Sequence, residues 1–188
     1  MRNTRTRTLV ECALMTAMAT VLSLIPIFQF PWGGSVTVFS MVPLVLASLR
    51  HGTKWGLMTG AVYGAIQCIT GFKNVLYATT FLAQAGVVVL DYVVAYAVMG
   101  LAFAVASFIP NRTAGVAAGA ALTGLLRYFC HFVSGILIWS GYAPEGTHVW
   151  IYSLTYNGGY MIPEIIITVI GTSVVMRILD SRNHAVVK

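Results

Sequence analysis

Apolar residues along this chain gather into six stretches, at about 9–30, 36–49, 55–70, 79–109, 114–140 and 151–178, and most of the charge lies between them or at the two termini. A helix needs roughly 20 residues to cross the hydrocarbon of a bilayer. The second and third stretches are shorter than that and contain Gly or Pro, so they are expected to cross at an angle or incompletely. The pattern predicts an all-α integral membrane protein with six transmembrane helices in a single domain over residues 1–188. Composition agrees: 58% of residues are hydrophobic, 9% are charged and the mean hydropathy is +0.83, outside the range of soluble domains.

Charge then sets orientation. Arg2, Arg5 and Arg7, then Arg50 and Lys54, then Arg112, and finally Arg177, Arg182 and Lys188 share one side if there are six crossings, leaving Lys73 on the other. Both termini are therefore expected in the cytoplasm. The net charge of +6 follows from topology and requires no nucleic acid. The opening "MRNTRTRTLV" is followed by an apolar run too long for a secretory signal and without a small-residue cleavage site, so it is expected to begin the first helix.

Small residues mark where helices approach closely. "GLMTGAVYG" spaces Gly56, Gly60 and Gly64 four apart, and "GVAAG" does the same for Gly115 and Gly119. Ala13 and Ala17 form a similar stripe on the first helix, which on residue pattern alone reads as an internal packing face. Cys12, Cys68 and Cys130 lack metal-ligand spacing and read as small buried hydrophobes. The outer connections differ from the short basic inner ones: "FQFPWGGSV" is rich in Gly and Pro around Trp32, and "SGYAPEGTHVW" is long, polar and aromatic. Two such loops on one side can form a lid, which directs attention to the outer face.

The chemistry lies in "LLRYFCHFVSGILIW", where Arg127 and His131 interrupt an apolar run. At 1.5 Å per residue, Arg127 lies about 18 Å along its helix from Gly115, and Asp91 about 18 Å along the preceding antiparallel helix from Thr79. Matching depth predicts an Asp91–Arg127 pair, which lowers the cost of burying either charge. Tyr92, Tyr128, Trp139, Tyr152, Tyr156, Asn157 and Tyr160 fall in the same outer half. Aromatic walls, one carboxylate and an amide suit a planar heteroaromatic cation with polar substituents. Trp32, Trp139 and Trp150 also fit an interfacial belt, and Glu11 is placed to pair with Arg7 four residues earlier. Neither a nucleophilic triad, nor H-E-x-x-H, nor a pair of carboxylates on one helix face is present, and no metal or cofactor is implied. Without a Walker A sequence the chain has no ATPase of its own.

In "PWGGSV", "LLRYFCHFVSG" and "YAPEGTHVWIYSLTYN", together with the alanine stripe of the first helix, the chain resembles the thiamine-specific S components (the ThiT family) of energy-coupling factor transporters. The resemblance covers essentially the whole chain. It implies a plasma-membrane, multi-pass bacterial subunit, not an enzyme, that captures thiamine at an outward-facing site. It also implies two kinds of partner, a membrane T component and two cytoplasmic ATPases. Carried over by motif, the ligand residues are Trp32, Asp91, Tyr92, His131, Trp139, Tyr152 and Asn157, with Tyr63 and Arg127 in supporting places and Ala13 and Ala17 docking on the T component. This chain has Asp91 where other members have Glu, Arg127 where others have Lys, and Tyr63 where others have Trp. Two other readings stay open: an S component for another heteroaromatic compound, such as a thiamine precursor, and an intramembrane enzyme using Asp91, His131 and Glu164.

Overall fold

The computed structural model describes residues 4–31 and 33–186. Seven helices account for most of it: α1 (Thr4–Ser23), α2 (Val42–His51), α3 (Thr53–Thr70), the short α4 (Phe72–Leu76), α5 (Phe81–Ser107), α6 (Arg112–Leu137) and α7 (Val149–Val186). Three of them, α5, α6 and α7 as far as Ser181, are long and apolar enough to cross a membrane. Asn111 caps α6 by accepting the Ala114 N–H at 3.0 Å, and Thr80 caps α5 by accepting that of Ala83 at 3.1 Å.

The first two apolar stretches depart from expectation. The helix predicted over about 9–30 stops at Ser23, because Pro26 disfavours helical backbone at Ile25 and lacks an N–H of its own. The chain then forms an antiparallel hairpin, β1 (Pro26–Gln29) with β2 (Ser35–Thr37), paired at Gln29 with Ser35 and at Phe28 with Val36. Its turn uses Gly33 and Gly34 at φ 100° and 88°, a region only glycine occupies freely. After β2 the backbone bends through Phe39, at φ 60°, and α2 begins only at Val42 with a proline in its first turn.

The bundle has an inverted distribution of polarity. Large apolar side chains point outward on every long helix, among them Leu14, Met18, Val62, Phe103, Phe129 and Ile166. Inside lie Thr16, Ser48, Thr59, Thr123, Arg127, Asn157, Glu164 and Thr168, all buried. Polar groups sheltered from an apolar exterior are what a lipid environment imposes. The ten-residue α2 sits at the centre of the bundle: Val42 to Ser48 are all buried against α1, α3, α5 and α7.

The glycine stripes act as predicted. A Cβ on Gly64 would stand 2.5 Å from the Tyr92 carbonyl of α5, and one on Gly119 2.6 Å from that of Ala102, so α3 and α6 both lie directly on the α5 backbone. That backbone is not regular. Val88–Val94 is π-helical and Val98–Leu101 is 3₁₀, and such turns leave carbonyls without their α-helical donors. The Ser48 hydroxyl donates to the Gly100 carbonyl at 2.6 Å and accepts the Phe103 N–H at 3.0 Å, repairing the break from α2. The alanine stripe of α1 corrects the residue-level reading: Cys12, Thr16 and Ala19 pack inward, whereas Ala13 and Ala17 are exposed. They are not an internal packing face, since they lie on the side of α1 turned away from Cys12 and Thr16.

Candidate substrate-binding site

A cavity of about 630 Å³ opens at the end of the bundle where α1 and α6 finish and α7 starts. The hairpin roofs it through Phe30, Pro31, Gly33 and Gly34, and α3, α5, α6 and α7 form its walls. Asp91, Tyr92, Arg127, His131, Trp139, Tyr152 and Asn157 all line it. These residues, expected together from the sequence, come from α5, from α6 and the turn after it, and from α7. Trp32 lies outside the described residues, although its neighbours Pro31 and Gly33 line the cavity.

Asp91 is the hub. Its carboxylate accepts from His131 Nδ1 at 2.9 Å, Ser134 Oγ at 2.6 Å and Trp139 Nε1 at 3.2 Å. A carboxylate only accepts, so the contact fixes the His131 proton on Nδ1. Asp91 sits within the π-helical turns of α5, a distortion common at functional sites. The expected Asp91–Arg127 pair is not made. A depth of about 18 Å requires uniform α-helical rise from Thr79, whereas α5 begins at Phe81 and its π-helical turns over Val88–Val94 advance less per residue. Asp91 consequently meets His131 and Ser134, which lie one to two turns beyond Arg127 on α6.

Arg127 is accommodated differently. Its guanidinium lies 4.5 Å from the centre of the Tyr96 ring, and Nη2 donates to the Tyr96 hydroxyl at 3.2 Å. Glu164 is buried and accepts the Thr37 N–H at 2.8 Å, the Thr37 hydroxyl at 2.7 Å and the Ser40 hydroxyl at 3.3 Å. It therefore ties α7 to the base of the hairpin. The tip is tied as well: Tyr156 donates to the Gly33 carbonyl at 3.0 Å, and a Cβ on Gly34 would stand 2.5 Å from the Tyr160 ring.

Asn157 uses its amide within the protein, donating to the His131 carbonyl of α6 at 3.3 Å and to the Ser153 carbonyl of α7 at 2.9 Å and accepting from Tyr160 at 2.7 Å, so it braces α7 against α6 beside the cavity. The Tyr92 hydroxyl donates to the Gly71 carbonyl at 3.2 Å. Tyr63 does not line the cavity. It is fully buried behind Tyr96, with ring centres 4.8 Å apart at 84°, and it is Tyr96 that lines the cavity. Ser134 and Tyr96 were missed although the sequence carried a signal for each. Ser134 follows Arg127 by seven residues and His131 by three on one face of α6, and Tyr96 follows Tyr92 by four on α5.

The family model for "Thiamine transporter protein" matches residues 9–184. The chain belongs to the thiamine transporter protein family. Within that family it is 38% identical over 173 residues to thiamine transporter ThiT of Bacillus subtilis (strain 168), covering 86% of each chain. It is 28% identical over 181 residues to ThiT of Lacticaseibacillus paracasei, covering 90% of this chain and 87% of that one. Among solved structures, ThiT from Listeria monocytogenes has the same fold, with a TM-score of 0.75 at 24% identity over 93% of this chain and 96% of that one. The S component of a bacterial ECF transporter matches with a TM-score of 0.60 at 19% identity, covering 98% and 99%. Membership of the thiamine transporter family makes this a transport protein and not an enzyme, and its apolar helices make it a multi-pass membrane protein with bacterial relatives.

Proposed function

We propose that this chain is the substrate-capture S component of an ECF-type importer, binding thiamine in the cavity beneath the hairpin. The observation that carries the reading is the Asp91 carboxylate, held by three donors in an aromatic-walled cavity. Thiamine joins an aminopyrimidine to a permanently cationic thiazolium. Among the described residues lining the cavity, Asp91 is the carboxylate and Arg127 and Lys73 are the cations; Arg127 is held against Tyr96 and Lys73 is exposed, so Asp91 is the charge that a cationic ligand meets. Trp139 and Tyr92 offer ring faces, and Tyr152 and Asn157 offer polar atoms at the start of α7.

In this reading α1, α2, α3, α5, α6 and α7 make six crossings with both termini in the cytoplasm. The distribution of charge supports it: Arg7, Arg50 and Arg112 gather at the end of the bundle opposite the cavity. The cavity then opens to the outside of the plasma membrane. The exposed Ala13 and Ala17 present a small-residue face on which a membrane T component docks, and two cytoplasmic ATPases drive release of thiamine inward. A binding titration tests this. Thiamine added to the purified protein is expected to quench its tryptophan fluorescence saturably, and the neutral aminopyrimidine half alone to bind more weakly because it brings no cation to Asp91. Equal affinity for the neutral fragment would make this an S component for a precursor, and no response to either would end the assignment.

A further inference from the structure

A second cavity, of about 440 Å³, lies at the end of the bundle opposite the first, among the start of α1, the end of α2, the start of α6 and the end of α7. Three guanidiniums and an imidazole converge there on two carboxylates. Arg7 Nε donates to Glu11 at 2.8 Å, Arg50 Nη2 donates to the same carboxylate at 3.1 Å, and His51 Nε2 stands 3.0 Å from it. Arg112 grips Asp180 with Nε and Nη2, each at 2.7 Å. Cationic donors thus outnumber anionic acceptors. The side chains of Arg7 and Arg112 are 64% and 67% exposed, so these pairs are solvated and individually weak.

Two features identify what such a groove would hold. Its polar rim stands beside apolar side chains, Leu49, Met176 and Leu179. Within about a turn of it, Leu9 and Val10 on α1 and Val174 and Ile178 on α7 are each more than half exposed. The change from lipid-facing to charged side chains at this level places the groove where acyl chains give way to head groups. We propose that the groove seats the phosphodiester of an anionic phospholipid, its phosphate oxygens on Arg50 and Arg112 and the upper part of its acyl chains against Leu49, Met176 and Leu179. Basic pockets between membrane helices bind anionic head groups by this combination of charge and depth. An acidic segment of a protein partner would satisfy the arginines but would have no use for the apolar side.

The test uses the full chain in nanodiscs of mixed phosphatidylglycerol and phosphatidylcholine, released into a mass spectrometer so that retained lipids are counted. The wild type is expected to retain phosphatidylglycerol in preference to phosphatidylcholine. Arg50→Gln and Arg112→Gln should each lower that retention about fivefold, the factor corresponding to one basic residue near an anionic surface. Glu11→Gln and Asp180→Asn should raise it, because each frees a guanidinium; a purely structural ion-pair network would lose lipid in these variants too. Lys54→Gln, at the same end but outside the groove, should change nothing. An equal loss in Lys54→Gln would overturn the proposal in favour of diffuse surface attraction. Full displacement of the lipid by inorganic phosphate would reassign the groove to a free anion. If the arginine variants lost association with the energising module while lipid retention stayed the same, the groove would be a protein contact.

Discussion

Asp91→Asn is expected to weaken thiamine binding by at least about 30-fold, since truncating one partner of a buried, hydrogen-bonded charge pair costs about 2–5 kcal/mol and each 1.4 kcal/mol is tenfold. The substitution is nearly isosteric, and the asparagine carbonyl still accepts from Ser134 and Trp139, so the scaffold around it is retained. What is lost is the charge, together with an acceptor for His131 Nδ1–H when the amide nitrogen faces it. A fluorescence titration alongside a thermal melt separates the two effects. The affinity should collapse while the melting temperature moves by only a few degrees. An affinity within about threefold of the wild type would remove Asp91 from the ligand site, because so small a change is no more than the loss of one neutral hydrogen bond.

Trp139 carries the second large effect, and two substitutions divide its roles. Trp139 packs on Tyr142, ring centres 5.6 Å apart, and points its indole N–H at Asp91. Trp139→Ala removes both the ring face and the donor and should cost about 2–3 kcal/mol of thiamine affinity, of which a desolvated cation–ring contact supplies up to about 2. Trp139→Phe keeps a ring and loses only the donor to Asp91, so it should recover most of that affinity. Equal loss in both variants would make the indole N–H the whole of the contribution, and no loss in either would return Trp139 to the interfacial belt that its position also allows. Quenching amplitude alone does not decide the matter, since Trp139 is itself a reporter; calorimetric titration does.

Much of the site was legible because its signals are local. A polar residue in an apolar run is costly unless it has a partner, so Asp91, Arg127, His131 and Asn157 stood out from sequence, and all four line one cavity. The glycine stripes were legible for the same reason, since four-residue spacing of small residues has one main use in packed membrane helices. Pairing was not legible. Which acid meets which base depends on depth to within a single turn, and the π-helical stretch Val88–Val94 shifts depth in a way no propensity records. The hairpin was hidden too, because Ile27, Phe28 and Phe30 continue the apolar run of α1 and only Pro26 marks the break. Tyr63 and Tyr96 show the limit of counting along one helix. Both are aromatic, but only Tyr96 lies on the side of α5 that faces the cavity, and Tyr63 lies behind it on α3.

The Glu164 clasp is not legible in the sequence, which offers Glu164 only as a candidate catalytic group beside Asp91 and His131. Its partners, Thr37 and Ser40, are more than 120 residues away in sequence and become neighbours only once the hairpin folds back over α7. The clasp at the base and the Tyr156 tether at the tip together hold the roof of the cavity in place, which is how a short strand pair reaches a ligand site built otherwise from helices.

The structure of the protein saturated with thiamine tests the central claim most directly. The account predicts two-ring density beneath the hairpin, in contact with Asp91 and the ring of Trp139 and flanked by His131 and Asn157. Density for thiamine anywhere else on the molecule, with this cavity holding only lipid or solvent, would contradict it.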